Sequence, residues 1–199
     1  MFANKIIFYA DKIALYSATR RNIDLSSIEF VSIKYGWQIL LIELTKIIPY
    51  GIIFALLGRL PEYLFAFAVL APLRVIGGGY HAKTYEGCYI ITFLTFFAGI
   101  YIGDFFPISF ELRITLFVIG LLLTIFLAPV AHPNMPIRDD AIRKKRRIRS
   151  IALFAVWGIA TIFFSDHYAN ITIFMMMVQA LLLPIGLLYN KKPKKKASP

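Results

Sequence analysis

With 199 residues, 59% of them hydrophobic, a net charge of +11 and a mean hydropathy of +0.69, the chain is too apolar for an ordinary soluble domain. Its charges collect in short blocks between apolar runs, the pattern of a chain that crosses a bilayer several times. A single cysteine, Cys88, excludes an intrachain disulfide framework and an all-cysteine metal cage within one chain.

The N-terminal stretch "MFANKIIFYADKIALYSATRR" has neither the apolar core and cleavage site of a signal peptide nor the glycine for myristoylation, so insertion is expected to rest on internal spans. Phe2, Ile6, Tyr9, Ile13 and Tyr16 recur at three- and four-residue steps, while Lys5, Asp11, Lys12 and Ser17 point elsewhere. That spacing predicts an amphipathic helix, lying on the membrane surface or packed on the bundle. Residues 1–35 are expected to form this cytoplasmic segment, 38–188 a transmembrane bundle and 189–199 a basic cytoplasmic tail, all within one domain.

Six spans are expected. The first, 38–57, holds Glu43 and Lys46, three apart and so neighbours on a helix, and Pro49, which should bend it. The second, 62–76, is short and broken by Pro72, either a span or a re-entrant piece. The third, 89–106, carries Asp104 near its end, and the fourth, 112–130, is the cleanest. The fifth, 151–164, is short, and the sixth covers 171–188. The fold class is therefore all-α: a polytopic membrane protein of about six transmembrane helices plus the N-terminal amphipathic helix.

Lysine and arginine placement sets orientation. "RDDAIRKKRRIR", "NKKPKKK" and the N-terminal Lys5, Lys12, Arg20, Arg21 and Lys34 are basic, whereas the loops near 104–113 and 165–170 are almost free of positive charge. The positive-inside rule puts both termini, the 138–149 loop and the 74–87 loop in the cytoplasm, with Arg59 a minor exception. Flanking spans as they do, the basic runs suit anionic lipid rather than nucleic acid.

The loop "RVIGGGYHAKTYEGCY" interrupts this apolar chain with chemistry. A thiol becomes a nucleophile where a base or a positive field favours its thiolate. His81 stands seven residues before Cys88, with Arg74 and Lys83 in the same loop, and a helix opening near Cys88 would add its positive end. On one unbroken helix those seven residues would rise about 10 Å, too far for imidazole and sulfur to meet. A break is required between them, and Gly87 is the candidate to provide it. Gly77, Gly78 and Gly79 allow a tight turn or a close backbone approach. Tyr80 and Tyr85 fit interfacial anchors and Lys83 a topology charge. Zinc is a poor reading: one histidine and one cysteine make half a site, and His132 and His167 are distant in sequence. No metal or cofactor is expected.

Arg74, Gly78, Gly79, His81, Ala82 and Cys88 match the pattern Arg-x-x-x-Gly-Gly-x-His-Ala with cysteine seven residues after the histidine. In this the chain resembles the AgrB (accessory gene regulator protein B) membrane peptidases; "APVAHPNMPI", the length and the basic loop agree. The resemblance implies a thiol protease of the bacterial cell membrane, acting in quorum sensing. Its partner would be an AgrD-like precursor peptide, whose C-terminal tail it removes and whose remainder is cyclised to an autoinducing peptide. Cys88 would be the nucleophile and His81 the base. Arg74, Gly78 and Gly79 would be candidates for an oxyanion or substrate carboxylate, Arg74 equally for a snorkelling end-of-span arginine. Arg143, Lys144, Lys145, Arg146 and Arg147 would attract an acidic precursor tail, or serve only as topology charges. The competing class is a noncatalytic transporter or assembly factor for a peptide or lipid, with Glu43, Lys46 and Asp104 lining a polar path. A homodimer suits so small a bundle, although no helix face demands one.

Overall fold

The computed structural model describes residues 2–80, 82, 84–105, 108–131 and 139–190. Seven helices run through them: α1 (Phe2–Arg20), α2 (Ile28–Leu56), α3 (Leu60–Gly77), α4 (Tyr85–Phe105), α5 (Phe110–Leu127), α6 (Asp140–Ala160) and α7 (Asp166–Asn190), with a 3-10 turn at Thr161–Phe163. Five are long and apolar enough to cross a membrane: α2, α3, α4, α5 and α7. The chain is an all-α polytopic membrane protein. His81, Lys83, His132 and the 191–199 tail lie outside the described residues.

Two compact units divide at residue 60. In the first, α1 packs along α2. Ala10, Ala14 and Ala18, four apart and fully buried, form the face of α1 that allows close approach. Asp11 fixes the register, accepting from Gln38 Nε2 at 2.7 Å and pairing with Lys34 at 2.8 Å. Those partners, the Lys34 hydrogen bond first, hold its carboxyl below the ordinary range against the opposing effect of burial. Helix α2 begins at Ile28, ten residues before the expected first span, because Ser27 caps it by accepting from Phe30 N. At 29 residues it is about 43 Å long, more than a bilayer core needs. Lys46 is buried and pairs with Glu43 at 2.5 Å, as their spacing predicts.

The second unit is built around α7. Its buried Ala169, Ile171, Ile173, Met175, Met176, Ala180 and Leu183 pack among α3–α6. Helix α3 does not break at Pro72. It runs continuously for 18 residues, about 27 Å, enough to cross. A proline removes one donor from the ladder, and inside a membrane bundle neighbouring groups can satisfy the carbonyl it leaves.

Of the expected fifth span, 151–164, residues 151–160 are the apolar half of a longer helix and 161–163 form the 3-10 turn that follows it. Asp139 caps α6 by accepting from Ala141 N at 2.8 Å, so the basic block is already helical before the apolar residues begin. Composition keeps α6 out of the five long apolar helices, but geometry lays it antiparallel along α5. Arg147 donates through Nε and Nη2 to Ile125 O at 3.0 and 2.6 Å, near the end of α5. Farther along, Phe154 rests over Gly120 and Phe117 over Gly158, the two rings stacked 6.2 Å apart. Each glycine makes room for the other helix's phenylalanine, a small-residue interlock of the kind that joins helices in lipid.

Successive helices of this unit alternate in direction. One end gathers Gly77–Tyr80, Val130, Ser150 and the 179–186 stretch of α7. The other gathers Glu62, Asp104, Arg113, Asp166 and His167. There His167 Nδ1 meets Asp104 Oδ1 at 3.0 Å, His167 Nε2 lies 3.9 Å from Glu62 Oε1, and Arg113 pairs with Asp166 at 2.5 Å.

Candidate functional site

Helix α3 ends because glycines follow it. Gly78 takes φ +69° and Gly79 φ +120°, left-handed conformations that an L side chain rarely adopts. Space forbids a side chain as well: a Cβ on Gly78 would collide with Val130 O, and one on Gly79 would come within 2.7 Å of Arg74 Nη1.

The turn is held from three directions. From α3 itself, Arg74 Nη1 donates to Gly78 O at 3.2 Å and Nη2 to Tyr80 O. From the strand-like segment after α5, Val130 N donates to Gly77 O at 2.9 Å and Val130 O accepts from Gly79 N at 3.3 Å, a parallel bridge. From α7, Gln179 Nε2 donates to Gly78 O and Leu182 O accepts from Tyr80 N, both at 2.9 Å. Gly186 lets α7 come this close, since a Cβ there would sit 2.7 Å from Gly79 C and Tyr80 N. The Tyr80 ring packs edge-on against Tyr189, 5.3 Å between centroids, within the protein.

Arg74 and the glycine amides are therefore engaged. The guanidinium faces two backbone carbonyls of its own loop. Gly78 N bonds Arg74 O, and Gly79 N bonds Val130 O. For the two glycine amides, binding an oxyanion or a substrate carboxylate would require an exchange of partners.

Beyond the turn, Thr84 opens α4. Its Oγ1 accepts from Gly87 N at 3.1 Å, and its carbonyl accepts from Cys88 N at the same distance. Cys88 is thus the fourth residue of α4, in its first turn as expected, with a half-buried thiol. Gly87 does not supply the break. It lies inside α4, and the chain leaves helical geometry earlier, at Gly78. A Cβ at Gly87 would crowd Thr84 Oγ1 at 3.0 Å and lie in ordinary contact with Ala82 Cβ at 3.6 Å. The residue after position 81 folds back onto the residue before Cys88. His81 itself, the expected base, lies outside the described residues.

Arg143, Lys144, Lys145, Arg146 and Arg147 are exposed on the first turns of α6. Asp104, expected on a polar path, contacts His167 at the opposite end of α4, about 24 Å along the helix from Cys88. No group of three or more metal-ligating side chains is assembled among the described residues.

Sequence reading missed Gln179, Leu182, Val130 and Gly186. Gln179 alone left a visible signal, as an uncharged amide inside the apolar run "MMMVQALLLP". The others contribute backbone atoms or the lack of a side chain.

The accessory gene regulator B family model matches residues 10–183. The chain is 26% identical over 192 residues to a putative AgrB-like protein of Clostridium beijerinckii, covering 96% of each. It is 29% identical over 188 residues to accessory gene regulator protein B of Staphylococcus aureus strain JH9, covering 92% of this chain and 95% of that one. With the protein of that name from Staphylococcus intermedius it shares 30% identity over 178 residues, 88% of this chain and 92% of the other. No solved structure matches. A family match that takes in the capped turn of α4, the glycine bend and the helices bracing it means that this chain belongs to the accessory gene regulator B family.

Proposed function

We propose that this chain is a membrane-embedded cysteine endopeptidase that removes the C-terminal tail of an AgrD-like precursor and promotes its cyclisation. The observation that carries the reading is the fold-back of Ala82 onto Gly87, which draws together the neighbours of His81 and Cys88. A straight helix would hold the two positions about 10 Å apart.

In this mechanism His81 takes the Cys88 thiol proton and the thiolate attacks the scissile carbonyl. Protonated His81 then gives its proton to the departing amine, leaving an acyl-enzyme thioester. A cysteine or serine within the bound precursor gives its proton to His81 and attacks that thioester, closing a thiolactone or lactone ring and expelling the Cys88 thiolate, which takes the proton back from His81. Amide to thioester is uphill and thioester to thiolactone nearly balanced, so loss of the released tail helps drive the sequence. Water must be kept from the thioester, a condition met at a membrane edge. Arg74 acts as a brace on the catalytic loop. The exposed basic turns of α6 stand at the motif's end of the bundle, where they would draw in an acidic tail.

Co-expression with a cognate precursor tests the reading. Cys88→Ala and His81→Ala should each abolish tail release while the protein stays in the membrane at wild-type level. Cutting by either variant overturns the assignment, and a noncatalytic transporter would show no tail release even from the wild type.

A further inference from the structure

Gln179 lies in the most deeply buried helix of the second unit and is itself only 3% exposed. A primary amide taken out of water is costly unless its polar atoms are used. Its Nε2 reaches across 101 positions of sequence to Gly78 O, the carbonyl that Arg74 also holds. Its Oε1 is buried without a hydrogen-bond partner. An apolar residue would suit this helix better unless the single bond to Gly78 repaid the burial.

That bond has a distinctive place. Gly78 is the first left-handed residue of the turn, so the orientation of its peptide sets the direction of the chain that follows. One helical turn on from Gln179, Leu182 O takes the Tyr80 N–H. Helix α7 thus grips the loop at both Gly78 and Tyr80, the residue bonded to His81. The contact with Gly77 is also close: a Cβ there would stand 3.1 Å from the Gln179 amide nitrogen.

We infer that Gln179 is a positioning residue for the peptidase reaction: by donating to Gly78 O it fixes the glycine turn from which the chain runs on to His81. This rests on the peptidase reading. It concerns orientation rather than contact with substrate, so its removal should act on turnover more than on precursor binding.

Three variants test it in the full-length protein reconstituted with its precursor. Gln179→Leu keeps the volume and removes the donor. It should lower kcat about 10- to 100-fold, the cost of misplacing a catalytic group by roughly an ångström, with KM within about twofold. Gln179→Asn retains the donor on a shorter arm and should fall between wild type and the leucine variant. Gln179→Glu can donate only while protonated, so its activity relative to wild type should rise as pH is lowered through the carboxyl's titration. A role in packing alone would leave that ratio flat. Unchanged kcat in Gln179→Leu, or a pH-independent ratio in Gln179→Glu, overturns the inference.

Amide exchange separates this failure from failure of the peptidase reading. Backbone exchange over 78–80 should quicken in Gln179→Leu while that of α7 stays unchanged, whether or not Cys88→Ala abolishes cutting. Unchanged exchange over 78–80 removes the brace itself.

Discussion

Arg74, by its sequence a candidate for an oxyanion or a substrate carboxylate, is held by the carbonyls of its own loop. Its guanidinium gives one nitrogen to Gly78 O and the other to Tyr80 O, a fixed fork that the point charge of an ammonium does not reproduce. Arg74→Lys keeps the charge and should still fail. The expected loss of tail release is about tenfold or more, with membrane level unchanged, and Arg74→Ala should be no better. If Arg74→Lys works as well as wild type, the residue contributes only charge and the brace is unimportant. The motif residues were visible in the sequence because they lie within fifteen positions of one another. Their pairing with the supports was not, because Val130 approaches from about fifty residues away and Gln179, Leu182 and Gly186 from just over a hundred. Three of those supports act through a backbone atom or a missing Cβ, which leave no chemical signature in a one-letter code.

In helix α4 a single cap closes the turn that carries Cys88. Thr84 Oγ1 takes the Gly87 N–H, closing the turn in which Cys88 sits and where Ala82 folds back. Thr84→Ala should cost about 1 kcal/mol of local stability. The fraying should appear as faster amide exchange over 85–88 and as reduced tail release, and Thr84→Ser should restore both. Exchange unchanged in the alanine variant would mean that packing, not the cap, holds the turn. Hydropathy located five of the six expected spans, because burial in lipid is a local property of a segment. It misjudged the ends of α2 and α6 because caps at Ser27 and Asp139 start those helices before the apolar residues do. Pro72 was misread for a related reason: its effect depends on what neighbours can do for the freed carbonyl, which only the packed bundle decides.

At the scale of the whole molecule, charge and chemistry coincide within the second unit. The end holding Gly78, Val130 and Cys88 also holds the basic start of α6, anchored by Arg147 on Ile125 O. The other end carries Glu62, Asp104, Asp166 and His167, with Arg113 paired to Asp166. The positive-inside rule weighs lysine and arginine near span ends, so the motif's end is expected to face the cytoplasm. The proposed reaction needs that orientation, because a precursor made inside the cell would have to meet Cys88 before crossing the membrane. Single cysteines placed in a Cys88→Ala background test it. Ser165→Cys, between α6 and α7, should react with an impermeant maleimide in intact cells. Ala141→Cys, exposed in the first turn of α6, should react only after permeabilisation. The reverse labelling would put the basic block and the motif outside, where the intracellular peptide could not reach them, and a maturing role for Cys88 would have to be abandoned.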